Sequence, residues 1–163
     1  MRKYPFVVAA AAVVALALPR GVAAQGQDIV ETANAAGNFK TFIRLLGEAG
    51  LTETLKGPGP FTVFAPSDEA FAKLPAERMT ALSKDKAALR QVLLFHVVAG
   101  KLMAADLAKL NGKGTRTMEL SEAKVAMMGA TIMISNAHVT QADLAAKNGV
   151  IHVVDAVIMP PGR

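Results

Sequence analysis

The sequence predicts an α+β domain with mainly antiparallel strand pairing. Three observations predict it. Up to Val98, apolar residues recur at helical spacing. From Lys101 the period changes to short runs divided by glycine- and asparagine-containing breaks. The last run, Val150 to Ile158, is apolar on both faces except for His152 and Asp155. Helices first and strands second argue for segregated layers.

The last run organises the rest. It is rich in β-branched residues, whose stiff χ1 suits a pleated strand. Asn148-Gly149 opens it with turn chemistry, and Pro160-Pro161 closes it because proline cannot donate to a ladder. A strand apolar on both faces needs cover on both, which places it centrally. Alternation puts Val150, His152, Val154 and Ile158 on one face, and Ile151, Val153, Asp155 and Val157 on the other.

The first 24 of the 163 residues stand apart from this pattern. Arg2 and Lys3 precede an apolar stretch from Phe6 to Leu18, and Val22-Ala23-Ala24 places small residues before Gln25. That order reads as a secretory signal peptide, with an uncleaved membrane anchor as the alternative. The apolar stretch is short for a bilayer span, which favours cleavage. Residues 25–163 then form one domain, with its core at 28–160. Arg2, Lys3 and Arg20 leave with the signal, so 15 basic residues face 13 acidic ones, a net +2 in place of +5. With no basic block, nucleic acid is not an expected partner, and no integral membrane segment is expected in the mature chain. There is no cysteine. A domain of this size folds without disulfides.

In order, Asp28 caps a first helix and Gly37-Asn38 breaks it. Phe39, Phe42, Ile43, Leu45 and Leu46 make the stripe of a second helix, which stops near Gly50. Leu51 and Leu55 lie on one more short turn. Gly57-Pro58-Gly59-Pro60 forbids regular structure. Phe61 to Ala65 is a short strand ended by Pro66, and Ser67 or Asp68 caps the next helix, with Phe71 and Leu74 inward. Pro75 breaks that helix, and Glu77 to Leu82 forms another turn. Asp85 to Val98 is the strongest helix signal, ending before Gly100. Residues 101–107 suggest a short strand and a turn, followed by a loop at Asn111-Gly112-Lys113-Gly114. Strand candidates follow at Arg116–Leu120, Lys124–Met128, Thr131–Ser135 and Ala137–Thr140. Gly129-Ala130 fits a two-residue hairpin with glycine first. Ala-Asp-Leu-Ala occurs at 105–108 and again at 142–145, each time shortly before Asn-Gly, which reads as two aspartate-capped turns.

Three blocks resemble the fasciclin domain family. They are Phe61 to Pro75, Leu94-Phe95-His96-Val97-Val98-Ala99-Gly100, and Asn148 to Pro160. Their order and spacing match, and the resemblance covers nearly all of 28–160. It implies a wedge-like β-sandwich decorated by helices, and an exported protein that mediates adhesion or binding. Two departures stand out. The second block carries Phe95-His96 where the family often has Tyr-His. Met128-Gly129 stands where Asn-Gly is common.

The candidate chemistry is sparse. His96, His138 and His152 show no HxH, HxxxH or HExxH spacing, so no metal site is expected, and His96 and His152 read as hydrogen-bonded core residues. Ser67 lacks a Gly-x-Ser-x-Gly elbow and sits where a cap belongs. His152 and Asp155 fall on opposite faces, so they form no dyad. Met118, Met127, Met128 and Met133 suit core filling or a soft apolar surface. No cofactor is implied. By resemblance to adhesive members with Asp-Ile before the last strand, Asp143-Leu144 and Phe95-His96 are the binding candidates. The expected function is an exported, non-enzymatic adhesion or interaction module. Its expected partner is a protein or a cell-surface or matrix component, and its location periplasmic, cell-surface-associated or secreted. Two alternatives remain: a carrier of a lipid or pigment in a Met-rich groove, and a hydrolase.

Overall fold

The computed structural model describes residues 27–160, so the export signal expected at 1–24 lies outside the described residues. The helices start where capping chemistry permits. Helix α1 (Ile29–Ala36) opens with a reciprocal capping box between Asp28 and Glu31 and closes at Gly37, whose φ of 78° disfavours a side chain. Helix α2 (Lys40–Glu48) has no side-chain cap of its own. Asp68, 27 residues on, supplies one: its Oδ1 accepts from the Thr41 N–H at 2.9 Å. Helix α3 (Thr52–Lys56) buries Leu55, with Leu51 at its start. Strand β1 (Phe61–Pro66) runs into α4 (Asp68–Ala72), where Ser67 Oγ accepts from the Ala70 N–H at 3.2 Å. Helix α5 (Ala76–Lys84) follows Pro75, and Asp85 caps α6 (Lys86–Phe95).

Helix α6 is shorter than its periodicity predicts. Val97–Ala99 is strand β2, paired antiparallel with β1. Periodicity could not separate the two because Val97 and Val98 are apolar in either state. β-Branching and the available edge of β1 decide for strand, and Phe64 N–H donates to the His96 carbonyl at 2.8 Å. The expected strand and turn at 101–107 are replaced by helix α7 (Ala104–Lys109). Strand β3 (Gly114–Arg116) lies earlier than the expected 116–120. Strands β4 (Glu122–Met128) and β5 (Thr131–Ile134) flank Gly129-Ala130, with Gly129 at φ 63°, as glycine in the first hairpin position allows. Strand β6 (Ala137–Ala146) continues past Thr140, so Asp143-Leu144 lies in a strand rather than a capped turn. Strand β7 (Gly149–Val154) ends before Asp155, and Lys147-Asn148 is the hairpin loop joining it to β6.

The seven strands form one mixed sheet in the order β2-β1-β7-β6-β5-β4-β3. All pairings are antiparallel except β1 with β7, which the sequence reading did not anticipate. A bridge between Val98 and Thr117 brings the two ends of the sheet together, so it curls almost into a barrel and its halves face each other as in a sandwich. The alternation expected for the last strand holds. Ile151, Val153 and Val157 pack with Val63, Ala65 and the helices. Val154 and Ile158 pack with Phe64, Phe95, Leu107, Val125 and Ile134 between the sheet halves. Every residue of β7 is buried.

Candidate functional site

Strand β6 is irregular where the binding candidates lie. Its register against β7 shifts between Val139 and Gln141, and again between Gln141 and Leu144. Each shift places one extra residue on β6, as a β-bulge does. Asp143 sits at φ 61°, a left-handed conformation that aspartate tolerates better than most residues. The bulges re-aim this stretch. Asp143 Oδ1 accepts from the Ala104 N–H at 2.8 Å, capping the start of α7 from another part of the sheet. Its own N–H donates to His152 Nδ1 at 3.3 Å.

His152 straps the bulge to the segment beyond β2. Its Nε2 lies 2.6 Å from the Leu102 carbonyl. A carbonyl only accepts, so Nε2 carries the proton and Nδ1 is the acceptor facing Asp143. The Leu102 N–H then donates to Thr62 Oγ1 at 2.8 Å, and that hydroxyl donates to the Gly100 carbonyl at 2.6 Å. His152 also stacks on Phe64, its register partner on β1, with centroids 5.7 Å apart. Burial lowers its pKa. The Leu102 hydrogen bond and the Asp143 charge oppose that shift less strongly.

His96 carries the opposite tautomer. Nδ1–H donates to the Val92 carbonyl at 2.7 Å, and Nε2 accepts from the Ile158 N–H at 3.0 Å. Burial is the larger influence and lowers its pKa to about 4, against a weaker upward pull from the Val92 bond. Phe95 and His96 are 1% and 0% exposed. The folded chain therefore holds both inside rather than on a surface that a partner could touch.

Of the four binding candidates, only Asp143 and Leu144 reach the surface region. Asp143 is exposed and Leu144 is half-buried. Leu144 lines a groove of about 360 Å³ between β6 and α1, with Ala35, Ala36 and Phe39. The methionines do not line it. Met118 packs on the helical core, Met127 packs between the sheet halves, and Met128 is 61% exposed. Ser67 serves as the cap already described. Among the described residues, no group of three or more His, Cys, Asp or Glu side chains is placed to hold a metal, and no helix is long and apolar enough to cross a membrane.

The fasciclin domain family model matches residues 37–160. The chain belongs to the fasciclin domain family. An uncharacterized Synechocystis protein, sll1735, is 41% identical over 134 residues, covering 81% of this chain and 97% of its own length. Cell surface glycolipoprotein MPB83 of Mycobacterium bovis is 31% identical, covering 89% of this chain and 66% of its own. Human periostin is 31% identical over 75% of this chain, which corresponds to 15% of periostin. A solved FAS1 domain pair from the insect cell adhesion molecule fasciclin I superposes with a TM-score of 0.64 at 22% identity, covering 78% of this chain and 47% of that one. That likeness confirms the fold.

Two structural roles in this fasciclin domain escaped sequence reasoning. Asn148 is a clip rather than simply a turn residue. Its Oδ1 accepts from the Ile29 N–H at 2.9 Å, and its amide donates to the carbonyls of Leu55 and Gly57. Its own carbonyl accepts from the Phe61 N–H. One residue thus ties α1 and α3 through its side chain, and the start of β1 through its backbone carbonyl, to the last hairpin. Asp155 pairs with His138 rather than His152: its Oδ1 accepts from the His138 N–H at 2.8 Å, and Oδ2 lies 3.5 Å from His138 Nδ1. Sequence offered no signal for that pair, because it depends on the register of β6 after its bulges.

Proposed function

We propose that this fasciclin domain is an exported, non-enzymatic adhesion or interaction module that binds a protein or matrix component of the cell envelope through the surface around Asp143-Leu144. The observation that carries the reading is the pairing of an exposed carboxylate with a half-buried leucine, on a bulged strand pinned from behind by His152. A charge orients a partner while an apolar contact is buried beside it, and the scaffold spends little ordering entropy on binding. The residues that would have to do chemistry are otherwise engaged. Ser67 caps a helix, and both ring nitrogens of His96 and His152 have protein partners. The cell-surface name of MPB83 supports an envelope location.

The test is Asp143→Asn combined with Leu144→Ala. Asparagine keeps an acceptor for the Ala104 N–H and tolerates φ above zero, so the fold should persist. Retention of the folded variant on its own envelope or matrix fraction should fall. Wild-type retention by a folded double variant rejects this surface.

The groove beside Leu144 favours a second reading, a carrier of an apolar small molecule. At about 360 Å³, it falls within the range of ligand sites. Native mass spectrometry of protein purified from its own envelope should then show a bound small molecule that Leu144→Arg abolishes.

A further inference from the structure

The hairpin end of the sheet holds a second concavity, which shares no lining residue with the first. Lys56 from the last turn of α3, Lys101 just beyond β2 and Lys147 in the β6–β7 loop line a cleft of about 560 Å³. All three are exposed. Among the described residues, no acidic one lines the cleft. Among the described residues, the ion pairs are Arg44–Glu48, Lys73–Asp155 and His138–Asp155, so none neutralises these lysines. Three like charges held around one concavity repel one another unless an anion joins them.

The rest of the cleft is backbone and proline, and it is tightly built. A Cβ on Gly59 would lie 1.9 Å from the Asn148 carbonyl oxygen, and one on Gly149 would lie 2.0 Å from that of Phe61. The Asn148 clip and the Gly100 N–H bond to the Pro60 carbonyl hold the rim. Pro58 and Pro60 have no N–H to offer an anion, and the cationic groups at the cleft are the three lysine ammoniums. Lysines act as strongly hydrated point charges, suited to repeated carboxylates or sulfates rather than to a single bidentate clamp. Among the described residues, no aromatic side chain or arginine lines the cleft to stack a base, which disfavours a single-stranded nucleic acid.

We infer that the Lys56–Lys101–Lys147 cleft binds an acidic polysaccharide. The choice of a polysaccharide among polyanions rests on the envelope reading above, whereas the charge geometry does not.

The experiment measures binding of the purified protein to alginate, dextran sulfate, neutral dextran and single-stranded DNA at low and high salt. Wild type should bind alginate or dextran sulfate, should ignore neutral dextran, and should lose affinity as salt rises. K56Q/K101Q/K147Q should bind roughly tenfold more weakly at low salt, with an unchanged melt because all three side chains are exposed. K84Q/K86Q/K109Q removes the same charge elsewhere and should bind within about twofold of wild type. Three results overturn the inference: wild-type affinity in the cleft variant, an equal loss in the control variant, or equal affinity for single-stranded DNA. Failure here alongside loss of envelope retention in the Asp143–Leu144 variant would reject the cleft and leave the proposed interaction surface standing.

Discussion

The tetrapeptide Ala-Asp-Leu-Ala is helical at 105–108 and extended at 142–145, and the two copies meet in the fold. In the first, Asp106 is at the third helical position and its Oδ2 accepts from the Met103 N–H at 3.0 Å. In the second, Asp143 reaches across to the Ala104 N–H at the start of that same helix. Two aspartates from different elements therefore satisfy neighbouring donors of one helix start, where unpaired N–H groups and the helix dipole both favour a carboxylate. The leucines diverge. Leu107 is fully buried between the sheet halves, and Leu144 is half-buried against the helical layer. Four identical residues set neither secondary structure nor burial. The neighbours do, through α7 packing on β4 and β5 in one case and the long pairing with β7 in the other.

The largest expected difference lies in the leucines. Leu107→Ala should cost about 2–5 kcal/mol, as for a fully buried leucine, and Leu144→Ala about 1 kcal/mol. Denaturant melts of the two variants check this, and equal losses would break the distinction.

Acid should separate the copies next. His96 has a folded pKa of about 4 against an ordinary 6.5. Between these values the unfolded chain takes up a proton that the fold excludes. Stability is therefore full above about pH 6.5 and should fall by roughly 3 kcal/mol as pH drops to about 4. His152 is lowered too and acts in the same direction. Its protonation removes the acceptor for the Asp143 N–H, so amide exchange at Asp143, corrected for intrinsic rate, should speed up before exchange in α7. Uniform acceleration would mean that the bulge has no separate strap.

The smallest expected effect concerns the shared helix start. Asp106→Ala and Asp143→Gly, the latter removing the carboxylate without straining φ 61°, should each cost about 1 kcal/mol, as lost caps do. The double variant should depart from additivity, because both carboxylates act on one turn. Strict additivity would mean that the two caps are independent.

Much of this was legible because it is local. Asp28, Ser67 and Asp85 were readable as caps or helix starts, since a cap acts within three residues. Gly129-Ala130 was readable because a two-residue hairpin needs glycine where φ is positive. The burial of both faces of the last strand followed from its composition, and so did the interior positions of His96 and His152. Among the misread segments, Val97-Val98 is apolar and β-branched and fits either periodicity, while 105–108 and 142–145 share one tetrapeptide that takes both states.

By itself, then, the sequence determined the helical first half, the strand-rich second half, the buried final strand and the family, because caps, breakers and periodicity act over a few residues. Tertiary structure alone decided the parallel pairing of β1 with β7, the reach of Asn148, the cap that Asp143 gives to α7 and the meeting of Lys56, Lys101 and Lys147. Each of these joins residues at least 39 positions apart along the chain, and their meeting depends on strand register. A bulge changes that register by a single residue, and no local propensity records it.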